Sequence, residues 1–418
     1  MRRLLLFGFL FVLIAPIAVA QIDERHLDVI DISGVLDNQA VSFLTESIHE
    51  AASRGAEAAV IQLDSRAVVA DEADFGRLLE LVASPPLPVI VWVGPAPAVA
   101  YGGAVDLLMA APIGMAAPGT EVGYAEPAIV TAPDAAFSAE PEVVSDSVLT
   151  VENEIHGVVD SVSPAIRQLV VGLDGVEVSF AGGSRRVSTL INNAPDSQVE
   201  VSHIPVTFHK PGYWARFLRL AVTPEAAFLF LMAGLTVAAF EFYAIGPGIA
   251  AAVAAISLFL ASYGLATLPL RWWAVAMAVL GWALLTASYQ RSGVAAVTAL
   301  GSILTLGGGL WFVDGAPQIS MNPVVTAVIV GVIVLFYTVA MPTVARSRFS
   351  TRTIGRDHLI GSQGTALVDF EPDGEVEVHG ARWKASAHRE SRIRQGNPVR
   401  ITEVDGLVLE VEPLPGRQ

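Results

Sequence analysis

Hydrophobic and polar positions change rhythm three times along the 418 residues. A basic start, Met1-Arg2-Arg3, runs into the apolar LLLFGFLFVLIAPIAVA and closes on the small residues Ala18-Val19-Ala20. That order predicts a secretory signal peptide over 1–20, cleaved after Ala20, with an uncleaved anchor as the alternative. Short apolar runs then alternate with helical patterns: LDVIDIS, a helix over Asn38 to Ala56 ending near Gly55, AAVIQLDS, the helix ADFGRLLELVAS, and PVIVWVG. Strands alternating with helices of this length predict a parallel sheet with crossover helices. Further on, IGMA and EVGYA predict a short strand pair, and Ile129–Ser147 a loop or flap rich in Pro, Ala, Ser and acid. A helix is expected from Asn153 to Val171, broken or kinked at Pro164, followed by a β-hairpin in VEVSFAGGSRRVSTL.

From residue 224 the alternation gives way to long apolar stretches. About five spans fit, roughly 226–244, 247–267, 272–289, 294–313 and 323–342. Gly246-Pro247-Gly248, Arg271, Arg291 and the polar DGAPQISMNP separate them. Five spans starting outside put the C-terminus inside, in agreement with Arg346, Arg348, Arg352 and Arg356 directly after the last one. Four or six would reverse the final side. Glu241 interrupts the first span, either as a buried functional acid or as an interfacial residue beside the Gly-Pro-Gly break.

The last rhythm is different again. Residues 359–413 show five short alternating runs separated by Pro-Asp-Gly, His-Gly, Gln-Gly-Asn-Pro and Asp-Gly, the pattern of a small antiparallel barrel. The domain plan is therefore an extracytoplasmic α/β domain over 21–223, a transmembrane domain over 224–345 and a barrel over 346–418.

Charge and composition narrow the chemistry. The net charge of −16 is concentrated in residues 21–223, with 27 Asp and Glu against 10 Lys and Arg. An acidic first domain argues against nucleic acid and anionic lipid as its partners. Cysteine is absent, which excludes disulfides, cysteine nucleophiles and thiolate metal sites. No metal or cofactor is expected. The barrel carries Phe370 and Trp383 with balanced charge, too few aromatics and too little basic surface for a nucleic-acid groove, so Trp383 reads as structural.

The stretch with the most chemical content is Pro88 to Pro127. The strand PVIVWVG, a Pro-rich turn and the small-residue start AYGGAVDLLMAA set one side chain at a helix N-terminus, where N–H groups favour developing negative charge. An acyl-transfer enzyme holds its nucleophile at such a place. Here the residue is Tyr101. Asp106 falls in the first turn of the same helix, or faces solvent.

The stretch resembles the proteolytic domain of the long-form NfeD family, membrane-bound serine proteases of the ClpP class. MAAPGTEVGYAEP (Met115 to Pro127) and VAYGGA (Val99 to Ala104) carry the likeness. It continues upstream in VIDISGVLDNQAVSFLTESIHEA and downstream in GVVDSVSPAIRQLVVGLDGVEV and Phe240-Glu241-Phe242 before Gly246-Pro247-Gly248. The motifs Ile360-Gly361, Gly364-Thr365-Ala366, Pro372-x-Gly374, Val378-x-Gly380, Trp383-x-Ala385, Ile393-x-x-Gly396 and Val404-x-Gly406 resemble the soluble NfeD domain, an OB-fold. The resemblance implies a ClpP/crotonase-like α/β fold, a Ser–Lys dyad and association with stomatin/flotillin-like (SPFH) proteins through the barrel.

Laid on the family pattern, the dyad is missing. Tyr101 stands at the serine position, and the two lysines of the chain, Lys210 and Lys384, lie just before the membrane region and in the barrel. Ser65 to Val69, SRAVV, replaces the Thr-Pro-Gly-Gly that supplies oxyanion donors. The expected remnant cleft comprises Ser65, Tyr101, Gly102, Gly103, Gly119, Thr120 and Gly123, with the Tyr101 ring plugging it. A triad from His49 or His156 with Ser65, Ser84 or Ser138 has no local signature, and His156 reads as a solvated helix residue. The leading expectation is a homo-oligomeric, multi-pass protein of a bacterial plasma membrane. It would hold a degenerate protease domain and act as a scaffold for an SPFH partner. The rival is an active membrane-bound serine endopeptidase cutting apolar segments of membrane proteins.

Overall fold

The computed structural model describes residues 25–135, 137, 147–191, 202–244, 248–291, 294–343, 356–387, 392–405 and 408–414. They fall into two compact units, the first ending at Val339. The expected signal peptide over 1–20 and most of the Ile129–Ser147 flap, Ser138 included, lie outside the described residues.

The first unit opens with β1 (Leu27–Ser33), α1 (Asn38–Arg54), β2 (Ala58–Asp64), α2 (Glu72–Ala83) and β3 (Val89–Val93). Next come β4 (Val99–Tyr101), α3 (Gly103–Ala110), β5 (Ile113–Ala116), β6 (Thr120–Gly123), β7 (Val148–Val151), β8 (Ser161–Val162) and α4 (Ile166–Gly172). The hairpin β9 (Glu177–Phe180) and β10 (Gly183–Arg186) follows, with a small pair, β11 (Leu190–Ile191) and β12 (Ser202–His203). Then β13 (Val206–His209) leads into α5 (Tyr213–Arg219).

Six strands form one parallel sheet in the order β13-β1-β2-β3-β5-β8. Its strands read as continuous apolar runs because both faces are covered. Ile30, Ile32, Ile61, Leu63, Val91 and Val93 pack toward α1, α2 and α3, while Val29, Val60, Ile90 and Trp92 pack toward α4 and the β9–β10 hairpin. Helix α1 begins where Asp37 accepts the Ala40 N–H at 2.9 Å and ends at Gly55, whose φ of 71° closes it in the left-handed conformation.

Two expectations fail here. The segments IGMA and EVGYA are strands but not partners: β5 joins the large sheet, and β6 lies between β4 and β7 in a second sheet of three strands. The helix expected from Asn153 to Val171 shrinks to α4, because the residues before it form the turn and bridge around Ile155–Val159 and the short strand β8. Pro164 precedes the helix instead of kinking it, as its missing N–H allows.

Five apolar helices follow: α6 (Pro224–Ala244), α7 (Ile249–Thr267), α8 (Trp272–Gln290), α9 (Ala295–Leu310) and α10 (Pro323–Leu335), which runs on through a π turn at Phe336–Ala340. Among the described residues, four helices are long and apolar enough to cross a membrane, and α9 has 16 residues. Small residues bring α8 and α9 together. A Cβ on Gly281 would lie 2.5 Å from the Thr305 nitrogen, and one on Gly308 2.5 Å from that of Ala278. Glycine is required at both contacts for backbones this close. The pairs Ser288–Thr298, Gly281–Thr305 and Ala278–Gly308 show α9 returning antiparallel along α8. Glu241 sits half-buried in the last turn of α6, its carboxylate accepting the Gly248 N–H at 3.1 Å at the start of α7.

The second unit contains a closed barrel of β14 (Gln363–Ala366), β15 (Asp373–Val378), β16 (Ala381–Ala387), β17 (Pro398–Asp405) and β18 (Val408–Pro413) in the order β14-β15-β16-β18-β17. His379 (φ 51°) and Gly380 (φ 79°) turn β15 into β16, the paired positive φ values that a two-residue hairpin needs. Phe370 is buried and Trp383 packs half-buried against the barrel core, the structural role expected for Trp383.

Asp37 makes one of the contacts that tie the sheet domain to the helices. Asp37 is fully buried, and beyond its capping bond it accepts the Tyr263 hydroxyl of α7 at 2.7 Å. The Arg219 guanidinium of α5 stands 3.6 Å away and donates to the Ser33 and Val35 carbonyls at 2.6 and 3.1 Å. Asp37→Ala strands Arg219 and uncaps α1, so a loss of about 3–5 kcal/mol is expected. Tyr263→Phe removes one donor and is expected to cost about 1–3 kcal/mol. Thermal unfolding of the full chain in detergent, followed by proteolytic cutting within 25–223, should rank them in that order.

Candidate functional site

Strand β2 ends at Asp64, and its continuation Ser65 runs beside β4. The Ser65 N–H donates to the Val99 carbonyl at 2.7 Å, and the Tyr101 N–H donates to Ser65 at 3.0 Å. Strand β4 lies parallel to β6 with Tyr101 opposite Gly123 and Val99 opposite Glu121. The chain then turns at Gly102, with φ 60° and ψ −138°, directly into α3. A Cβ on Gly102 would approach the Pro127 and Ala128 carbonyls to 3.1 and 3.2 Å, so the turn requires glycine.

The donors at this helix start are engaged. Gly102 N–H donates to the Tyr124 carbonyl at 2.9 Å and Gly103 N–H to Ala128 at 2.7 Å. The turn from Tyr124 to Ala128 thus lies against the backbone where an oxyanion would be held. Tyr101 donates its hydroxyl to the Glu121 carboxylate, and its ring meets Tyr124 edge-on at 5.6 Å and 79°. Burial raises the Tyr101 phenol well above its usual range, and the bond to Glu121 raises it further. A phenol that resists ionisation is a poor nucleophile at neutral pH.

The other residues of the expected cleft bond to the backbone. Ser65 is fully buried and donates its hydroxyl to the Ala67 carbonyl at 3.1 Å. The strip after it is paired on both sides: Leu36 N–H donates to Ala67 and Val69 N–H to Leu36, while Val130 N–H donates to Val68. Gly119, with φ 84°, and Thr120, whose hydroxyl donates to Ala117 at 2.7 Å, form the turn entering β6. Ser65, Tyr101, Gly102, Gly103 and Gly123 therefore meet at one end of β6, with Gly119 and Thr120 at the other. A Cβ on Gly123 would strike the Ser147 carbonyl at 2.2 Å. Asp106 is buried in the first turn of α3 and does not face solvent.

Among the described residues, the alternative hydroxyl and imidazole groups do not gather here. His49 lines a groove of about 710 Å³ between α1 and α2 with Thr45, Glu46, Asp74 and Arg77. His156 is an exposed turn residue and not part of a helix, since Gly157 follows at φ 79°. Ser84 caps the C-terminus of α2, exposed. Lys210 pairs with Asp31 at 3.2 Å, and Lys384 lies on β16.

Sequence reasoning missed Glu121, Tyr124 and Gln318. Glu121 was within reach, because TEVG as a strand puts Glu121 and Gly123 on one face beside Tyr101. Gln318 gave no local signal. It comes from the connection between α9 and α10 and donates its amide to the Tyr124 and Pro127 carbonyls at 2.6 and 3.1 Å.

The phenol has a titration signature. Its folded-state pKa lies above the unfolded value of ~10, so its contribution to stability is complete below that pH and is lost as pH rises through the folded value. The chain has seven tyrosines. Tyr101→Phe is expected to leave the phenolate absorbance step near pH ~10 unchanged in amplitude. Loss of one tyrosine's share from that step would contradict a protected phenol.

Comparison with known proteins connects this geometry to a family. Residues 225–341 match the NfeD integral membrane domain, and residues 356–413 match the NfeD-like C-terminal, partner-binding domain. The membrane-bound protease PH1510 of Pyrococcus horikoshii is 25% identical over 446 residues, covering 98% of either chain. The solved 1510-N membrane protease specific for a stomatin homolog, from the same organism, shares 17% identity over 47% of this chain and 97% of its own, with a TM-score of 0.35. The C-terminal domain of the stomatin operon partner protein 1510-C, also from Pyrococcus horikoshii, is 35% identical over its entire length and 16% of this chain, with a TM-score of 0.15. The apolar helices thus match the NfeD integral membrane domain and the closed barrel matches the NfeD-like partner-binding domain, beside an α/β domain that lies outside both matches.

Proposed function

We propose that this NfeD-family membrane protein is a scaffold whose protease-derived domain does not cut. The observation that carries the reading is the Tyr101 phenol bound to Glu121 at the start of α3, with the Gly102 and Gly103 N–H groups already bonded to Tyr124 and Ala128. An acyl transfer at this place lacks an attacking hydroxyl of suitable pKa, a nearby lysine base and free oxyanion donors. Ser65, Tyr101, Gly102, Gly103, Gly119, Thr120 and Gly123 are then the remnant of a cleft retained for its shape. In this reading the barrel binds a stomatin/flotillin-like (SPFH) membrane protein. The stomatin partner named for the 1510-C relative and the description of the matching domain as partner-binding support that role.

The same reading puts the protein in a bacterial plasma membrane as a homo-oligomer, with residues 21–223 outside the cytoplasm and the barrel within. The antiparallel return of α9 along α8 supports five passes and hence opposite sides for the two globular parts. Domain limits at 223 and 345 follow from the same plan. An active serine endopeptidase is the second reading, favoured by the protease relative that aligns over 98% of the chain.

A fluorophosphonate serine probe on the purified full chain separates the two. No labelling within 21–223 is expected, and labelling abolished by replacing one serine there would establish the endopeptidase. Tyr101→Ser is also expected to give no peptide turnover above the wild-type background, because neither lysine nor open N–H donors accompany the new hydroxyl. Turnover appearing with that one substitution would overturn the scaffold reading.

A further inference from the structure

One side chain from the connection between two apolar helices reaches the turn beside Gly102 and Gly103. Gln318 lies in the connection from α9 to α10, is 7% exposed, and directs its Nε2 at two carbonyls of the turn that covers Gly102 and Gly103. Two carbonyl acceptors fix which end of the side-chain amide is the nitrogen. The Tyr124 carbonyl is shared: Gly102 N–H reaches it at 2.9 Å from the helix start, and Gln318 at 2.6 Å from the membrane side. One oxygen therefore joins the α3 N-terminus to the helical domain. The other end of the Gln318 amide, Oε1, is buried with no hydrogen-bond partner among the described residues. A buried acceptor left unpaired makes the seated position weaker than a fully bonded one.

The connection that carries Gln318 is tied to four helices. Arg271, at the start of α8, pairs with Asp314 at 3.0 Å, and the Asp314 N–H donates to the Pro269 carbonyl at 2.7 Å. Glu225, in the first turn of α6, accepts the Asn322 N–H at 2.9 Å, and Asn322 caps α10 through Val324 and Val325. Phe312, just past α9, is fully buried edge-on to Phe228 of α6 at 5.4 Å. A shift of α6, α8, α9 or α10 thus moves the base of the loop, and Gln318 is its contact with the turn.

We propose that Gln318 is a tethered latch, a carboxamide delivered by the α9–α10 connection that holds the Tyr124–Ala128 turn closed over Gly102 and Gly103, so that movement of the helices opens the cleft. The coupling holds whether or not the cleft cuts, so its failure would leave the scaffold reading intact. It is reciprocal, as any coupling between two sites must be. Loosening the turn frees the loop, and freeing the loop loosens the turn.

Amide hydrogen exchange on the full chain in lipid nanodiscs tests it. Gln318→Ala, and Gln318→Glu with a carboxylate facing two carbonyls, are expected to speed exchange at 99–108 and 124–131 by about tenfold. Exchange in β1, β2 and β3 should stay at the wild-type rate. Tyr101→Ala, made from the cleft side, should speed exchange at 311–322. Gln290→Ala, which removes a side-chain amide bonded to Tyr243 at the far end of α8, should leave 99–131 unchanged. Unaltered exchange at 99–131 in both Gln318 variants overturns the latch. So does a rise shared with β1 to β3, or an equal rise in Gln290→Ala, because either marks general loosening.

Discussion

A buried carboxylate constrains how the sheet domain meets the helices. Asp37 is fully buried, and removing a carboxylate from water costs several kcal/mol unless its oxygens are bonded. Its partners come from three places: Ala40 at the start of α1, Tyr263 on α7 and Arg219 on α5. No two of these neighbour one another in sequence. The charge is satisfied only when α1, α5 and α7 hold their observed arrangement, so its desolvation cost becomes a geometric constraint. Arg219 extends that constraint by bonding the carbonyls of Ser33, the last residue of β1, and Val35 just beyond it. Position of the cleft follows, since β1, β2 and β3 form one sheet and Ser65 carries the end of β2 into β4.

That placement explains how a loop between two apolar helices reaches the Tyr124–Ala128 turn. With α7 fixed against Asp37 and α8 fixed against α9 by glycine contacts, the ends of α8, α9 and α10 converge through the Arg271–Asp314 and Glu225–Asn322 contacts. Gln318 is carried on that convergence. A second buried carboxylate, Asp28, marks the opposite end of β1, with His209 of β13 at 3.1 Å and Arg54 of α1 at 3.7 Å. Each end of β1 thus lies near a buried carboxylate, with an arginine 3.7 Å from one and 3.6 Å from the other.

Legibility from sequence followed the range of the interactions. The parallel strands were plain because a sheet covered on both faces needs continuous apolar runs, and LDVIDIS, AAVIQLD and VIVWV supply them. Helix α1 was readable through its apolar spacing and Gly55, and the barrel through turns such as His379-Gly380, all local signals. The pairing of β5 and β6 was not, because adjacent short runs look alike whether they join one sheet or two. The helix expected over 153–171 shows the limit of periodicity near a proline, where turns and a two-residue strand took most of the segment. Within the cleft, Tyr101 was found by position, while its bond to Glu121 depends on the register of β4 against β6. Gln318 depends on the fold of the whole first unit, and no short window contains it.

Two losses bear on the chemistry of the cleft, and their sizes differ. Removing one oxyanion donor raises an acyl-transfer barrier by about 2.7–4 kcal/mol, whereas removing a nucleophile or its base lowers turnover by about a millionfold. On the proposed scaffold reading, the missing hydroxyl and amine would carry most of the difference from a working hydrolase. The occupied N–H groups account for something else. A cleft that had lost only its nucleophile would still present Gly102 and Gly103 to a peptide carbonyl. Here the chain's own Tyr124 and Ala128 carbonyls fill those positions, and Leu36 and Val130 bond the strip from Ala67 to Val69. Backbone hydrogen bonds that a peptide would make at the helix start are made instead by the turn, and Gln318 bonds that turn from the membrane side. The Tyr124 carbonyl that accepts the N–H at the helix start therefore also accepts a donor from the connection between α9 and α10, so one oxygen belongs to both parts of the first unit.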